Sequence, residues 1–82
     1  MKILYFSWVR EIIGLGGEDF ESKSSTVNEL IDELKAKNVS YQEAFSDLSL
    51  IRVAVEREFI DDYETQIEDS FEIAFFPPMT GG

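Results

Sequence analysis

Ser24-Ser25-Thr26-Val27-Asn28-Glu29-Leu30-Ile31-Asp32-Glu33-Leu34-Lys35 is the segment from which the architecture is read. Thr26 followed three residues later by Glu29 fits a capping box, in which a hydroxyl and a carboxylate each satisfy an otherwise orphaned backbone N–H of a first helical turn. Val27, Leu30, Ile31 and Leu34 then recur at i, i+3, i+4 and i+7, which lays one apolar stripe along an amphipathic helix. Lys35 and Lys37 suit its C-terminal end, where the helix dipole favours cations. One long helix with a single greasy face needs a sheet to lie on.

Strand signals flank it on both sides. Lys2 to Val9 is rich in aromatic and branched side chains, with Ile3, Tyr5 and Val9 on one face and Leu4, Phe6 and Trp8 on the other. Both faces are apolar, as in a central strand with one side on a core and the other offered to a partner. Arg10 to Leu15 reads as a short helical turn that Gly14-Leu15-Gly16-Gly17 breaks. Glu18 to Lys23 reads as a second strand anchored by Phe20. Beyond the helix, Tyr41, Ala44, Phe45 and Leu48 mark a further short helical piece. Leu50 to Glu56 reads as a strand with Ile51, Val53 and Val55 on one side, and Arg57-Glu58 as a turn into a short strand around Phe59-Ile60. Asp61 to Asp69 is an acidic loop interrupted by Ile67. In the last strand Phe71, Ile73 and Phe75 share one face, Ala74 and Phe76 the other, and Pro77 ends the pairing because proline cannot donate to the ladder. Strands wrapped around one main helix give an α+β two-layer sandwich, and the expected fold is a ubiquitin-type β-grasp with a mixed sheet. The expected division is a β-grasp domain over 1–76 and an extended C-terminal tail over 77–82.

Composition removes most chemistry. Eighty-two residues, with 44% hydrophobic and 13% aromatic, are enough for one small core. No apolar run approaches a membrane span, and no secretory leader pattern is present, so the expected compartment is cytoplasmic. Seven basic against 17 acidic residues give a net charge of −10, which disfavours nucleic acid and would steer the chain toward a basic partner surface. With neither Cys nor His, thiolate nucleophiles, imidazole acid–base chemistry and most transition-metal sites are excluded. Gly14-Leu15-Gly16-Gly17 lacks the spacing of a phosphate loop. Asp61, Asp62, Glu64, Glu68 and Asp69 lack the ligand spacing of a calcium loop. No bound metal or cofactor is expected.

The terminus remains. Phe75-Phe76-Pro77-Pro78-Met79-Thr80-Gly81-Gly82 follows an apolar strand directly. Two residues without Cβ let a carboxylate enter a narrow cleft, and a Pro-Pro pair favours a stiff tail with little entropy to lose on docking. A carboxylate is a poor electrophile until it carries a better leaving group. Adenylation by an ATP-using partner would supply one, and sulfur displacing AMP would leave a thiocarboxylate. Gly82 is therefore the candidate reactive residue, with Gly81, Thr80, Met79, Pro78 and Pro77 as the clearance segment. Phe6, Phe76, Phe59 and Leu4 are candidates for an exposed apolar interface. The alternatives are that these aromatics are core and that the terminus is inert.

This ending resembles that of molybdopterin synthase small subunits, the MoaD-type sulfur carriers. The resemblance extends to Val9-Arg10-Glu11, to the helix start from Thr26 to Leu30, to Arg52-Val53-Ala54-Val55 and to Glu72-Ile73-Ala74. It implies activation of the terminal glycine by an E1-like adenylyltransferase and a 1-thioglycine at Gly82. It further implies sulfur donation to cyclic pyranopterin monophosphate inside the large subunit of a heterotetrameric synthase. The small subunit is then a sulfur donor without catalytic side chains of its own. Two turns depart from the family pattern: Glu56 stands where Asn is usual, and Glu68-Asp69-Ser70-Phe71 replaces an Asp-Gly-Asp-Glu-like turn. A sulfur carrier for thiamine synthesis or tRNA thiolation, a ubiquitin-like modifier, and a binding module with an inert tail are the competing readings.

Overall fold

The computed structural model describes residues 1–68 and 72–78. The helix expected from the Thr26 box forms as α2 (Val27–Lys35), with Val27, Leu30, Ile31 and Leu34 all buried. Thr26 Oγ1 accepts from the Glu29 N–H at 3.2 Å, while the Glu29 carboxylate accepts from the Ser25 N–H at 2.7 Å, one residue before the expected donor. Two further first-turn donors are satisfied by the segment expected to be only a solvated loop: Val27 N–H donates to the Thr65 carbonyl and Asn28 N–H to that of Tyr63. Ile67, the one apolar residue of that loop, is fully buried. The loop is therefore a lid on the N-terminus of α2.

Five strands form a mixed sheet beneath it: β1 (Lys2–Tyr5), β2 (Gly17–Asp19), β3 (Arg52–Val55), β4 (Glu58–Ile60) and β5 (Glu72–Phe76), in the order β2-β1-β5-β3-β4. β1 and β5 pair in parallel and every other pair is antiparallel. The alternation of β1, β3 and β5 directs Ile3, Tyr5, Val53, Val55, Ile73 and Phe75 inward, all buried. Phe75 sits at the centre of this core, stacked on Tyr5 at 6.1 Å and edge-on to Phe45 at 5.0 Å. Two short helices, α1 (Ser7–Ile13) and α3 (Val39–Ala44), share the helical layer with α2. The architecture is the expected β-grasp, with helices on one face of the sheet.

Three local expectations are corrected. The first strand ends at Tyr5 rather than Val9, because Phe6 is still extended (φ −124°, ψ 154°) but Ser7 turns at φ +56° and starts α1. Val9, Ile12 and Ile13 then pack at helical spacing on the core, and Gly14 closes the helix at φ +90° with its N–H on the Arg10 carbonyl at 2.8 Å. The second strand spans three residues rather than Glu18 to Lys23. Ser22 and Ser24 leave the sheet edge to donate their hydroxyls to Glu33 of α2. The β3–β4 turn is Glu56-Arg57, one residue earlier than expected, with φ +53° and +70°. Phe71 lies outside the described residues.

A polar knot closes the β2 edge. Glu18 accepts from the Tyr5 and Tyr41 hydroxyls at 2.8 and 2.7 Å and from the Lys37 ammonium, tying β1, β2 and the α2–α3 corner to one carboxylate.

Candidate docking face and tail exit

Among the described residues, no helix covers the outer face of the sheet. Antiparallel and parallel registers align Leu4 with Ala74, Ala74 with Ala54, and Ala54 with Phe59 in one row across four strands. Residues opposite one another on neighbouring strands share a face, so the row is a continuous apolar stripe. The two alanines give it a shallow floor. Phe6, Trp8, Phe59 and Phe76 line a groove of ≈ 1060 Å³ over this floor, and the rings of Phe59 and Phe76 are neighbours in it. The latter two rings lie 5.4 Å apart, tilted by 48°.

Phe59 is 80% exposed and Phe6 47%. Burying a phenylalanine is worth about 1.5–3 kcal/mol, so two rings left in water forgo a gain that a covering surface would recover. All four residues expected at an interface, Leu4, Phe6, Phe59 and Phe76, line this one groove. Leu50, Trp8, Ala54 and Ala74 line it as well; the sequence placed Trp8 on the face of Leu4 and Phe6 and Ala74 on that of Phe76, without naming any of the four as an interface residue. The two alanines had a signal: small residues on β3 and β5 between large ones. Trp8 had one, since alternation puts it on the outward face with Leu4 and Phe6, although it reaches the groove from α1 rather than from a strand; Leu50 had none, because it arrives in the short helical turn Leu48–Leu50 ahead of β3.

The tail leaves from this groove. Phe76 is the last residue in the β5 ladder, opposite Arg52, and Pro77 and Pro78 line the groove's end. Met79, Thr80, Gly81 and Gly82 lie outside the described residues. Among the described residues, no cluster of three or more acidic side chains is placed to hold a metal ion, and no helix is long and apolar enough to cross a membrane.

The electrostatics separate structural groups from this face. Burial works against ionisation of Glu18, but hydrogen bonds from Lys37, Tyr41 and Tyr5 outweigh it and hold its carboxyl below the ordinary range. Burial, reinforced by Glu18, pushes Tyr5 and Tyr41 upward. That knot belongs to the core side and the sheet edge. The charges lining the groove are Arg57 and Glu72, paired Nε to Oε2 at 3.5 Å.

The ThiS family model matches residues 3–82. The chain belongs to the ThiS family. Among full-length relatives, this ThiS-family chain is 30% identical over 82 residues to the molybdopterin synthase sulfur carrier subunit of Escherichia coli K12, covering 100% of this chain and 99% of the other. It is 37% identical over 84 residues to the subunit of the same name from Dictyostelium discoideum, covering 99% and 94%. Its fold matches that of SAMP1 from Haloferax volcanii with a TM-score of 0.73 at 24% identity, covering 100% of this chain and 98% of that one. It also matches a chain in the complex of subunits 1 and 2 of molybdopterin-converting factor from Helicobacter pylori, with a TM-score of 0.64 at 23% identity, covering 99% and 96%. The expected resemblance to molybdopterin synthase sulfur carriers therefore holds over the whole chain.

Proposed function

We propose that this chain carries sulfur as a thiocarboxylate on Gly82 and delivers it, within a molybdopterin synthase, to cyclic pyranopterin monophosphate. The observation that carries this reading is the tail exit: Pro77 and Pro78 leave β5 at the end of an uncovered apolar groove. A body gripped there by a partner leaves the residues beyond Pro78 to be threaded inward. From Pro77 to Gly82 an extended chain reaches on the order of 20 Å. The family match running to residue 82 supports the same assignment of the terminus.

The chemistry needs no side chain from this chain. An E1-like adenylyltransferase joins the Gly82 carboxylate to AMP from ATP and releases pyrophosphate, and a sulfur donor then displaces AMP. The thiocarboxylate sulfur attacks a side-chain carbon of the pterin precursor, forming a C–S bond as a C–O bond at that carbon breaks and its oxygen departs as phosphate-ester oxygen or water. Water cleaves the resulting thioester and regenerates the carboxylate. The large subunit supplies the catalytic groups, and the four aromatic and aliphatic residues of the groove hold the two chains together.

Intact-mass measurement after incubation with the activating partner, ATP and a sulfur source tests the first half. The expected result is the mass gain of one oxygen replaced by sulfur, absent from a variant lacking Gly82. Lysine-linked conjugates in place of that species would overturn the reading in favour of a protein modifier.

A further inference from the structure

The uncovered groove has an uneven rim. Of the chain's 17 acidic residues, Glu72 is the one that lines it among the described residues. Two arginines stand at its opposite ends on the same face. Arg52 lies directly across from Phe76 at the tail end, and Arg57 lies in the β3–β4 turn. The length of β3 (Arg52–Val55) and the first turn residue, Glu56, separate them. Lys2 and Asp19, opposite one another near the β2 edge, cancel. Two guanidiniums thus stand on a face whose groove is lined by a single carboxylate, Glu72, among the described residues, on a molecule whose net charge is −10.

Neither guanidinium is consumed internally. Arg52 is exposed, and its Nη1 donates to the neutral Ile51 carbonyl at 3.3 Å. Arg57 has an 86% exposed side chain, and its contact to the largely covered Glu72 carboxylate uses Nε at 3.5 Å, which leaves the two Nη groups facing outward to a partner. Its backbone also bears a cost. A turn with two consecutive positive φ angles is met most cheaply by Asn-Gly, yet here a long charged side chain occupies φ +70°. Strain kept beside a binding surface points to a use for the side chain that causes it.

We propose that Arg52 and Arg57 form a cationic rim, and that the surface covering the groove carries carboxylates at both ends of its apolar contact. This rests on the reading of the groove as the docking face for the large subunit. A partner apolar or basic across its whole footprint would strip water from two guanidiniums without repaying it. One with acidic side chains at those two points completes both. The rim then selects among partners, as complementary charge does, against the attraction for basic surfaces set by the whole molecule.

The sign of a charge reversal decides the matter. Association and dissociation rates with the purified large subunit are measured at low and high salt for the wild type, Arg52→Glu/Arg57→Glu and Lys23→Glu/Lys35→Glu. The last pair makes the same charge change on the helical side. The rim predicts association roughly ten-fold slower for the arginine reversal at low salt, a gap that closes at high salt. The lysine reversal leaves the rate within about two-fold. An unchanged or faster rate for the arginine reversal overturns the rim. If that occurs while Phe6→Asp abolishes binding, the docking face stands and the rim alone falls. If the wild type does not bind the large subunit, both fall. Should the reversed turn fail to fold, the Arg52→Lys/Arg57→Lys and Arg52→Gln/Arg57→Gln variants decide. The lysines retain the rate and the glutamines lose it, and equal rates overturn the rim.

Discussion

Glu18 accepts three hydrogen bonds through two oxygens, from residues that sequence spacing does not bring together. Its replacement by Gln should lower stability by about 1–3 kcal/mol, the scale of a lost charge-assisted hydrogen bond, measured as a shift in denaturation midpoint. Its pH dependence has a definite sign. Unfolded, the group titrates near 4.5, and folded it titrates lower, so its contribution is full above the unfolded value and is lost as pH falls through the folded one. Tyr5 and Tyr41 act at the other end. Both are raised above the ordinary 10.0, so their contribution is full below that value and fades as pH rises past it. Wild type should lose stability on both flanks, and Glu18→Gln should flatten the acid one. At the β3–β4 turn, Arg57→Gly removes the strain of φ +70° and should raise the midpoint by about 0.5–1 kcal/mol. On the rim reading it should also slow docking, so stability and recognition would move in opposite directions.

At the scale of elements, α2 was fully legible because three independent signals agreed: a cap, a stripe and basic residues at the end. Thr26→Ala should cost about 1 kcal/mol, and more if Val27 and Asn28 lose the loop carbonyls that the capped turn holds in place, which amide exchange at those two positions would reveal. The start of the chain was misread for a physical reason. Phe6, Ser7, Trp8 and Val9 have the composition of a strand, and nothing local announces that a serine will take φ +56°. The pattern Val9, Ile12, Ile13 was available, but strand propensity upstream masked it. The site divides in the same way. Leu4, Phe59 and Phe76 were readable from alternation along strands. Trp8 falls on the right face by the same alternation but as part of a strand, whereas it projects from α1, and Leu50 reaches the groove from the short helical turn ahead of β3, which no local pattern announces.

For the whole molecule, the contrast between two phenylalanines summarises the division of labour between faces. Phe75 is fully buried and Phe59 is 80% exposed, although both sit in strands of one sheet. Phe75→Ala should cost about 3–5 kcal/mol of stability. Phe59→Ser should change stability by less than about 0.5 kcal/mol yet weaken capture by the large subunit, which paired thermal and binding measurements would separate. A two-layer fold with helices on one side leaves its other side for a second molecule, and that economy explains how so short a chain presents so large an apolar surface. The parallel pairing of β1 with β5 adds a condition on timing. Lys2 lies beside Glu72 and Tyr5 beside Phe75, so the middle of the sheet closes only when segments some seventy positions apart meet. Such distant closures are slow, and during synthesis the sheet stays open until the segment from 72 to 76 has emerged. A nascent chain halted upstream of that segment would lack the groove's floor at Ala74 and its lining ring at Phe76, so on the proposed reading a partner that grips the groove could not engage an unfinished copy.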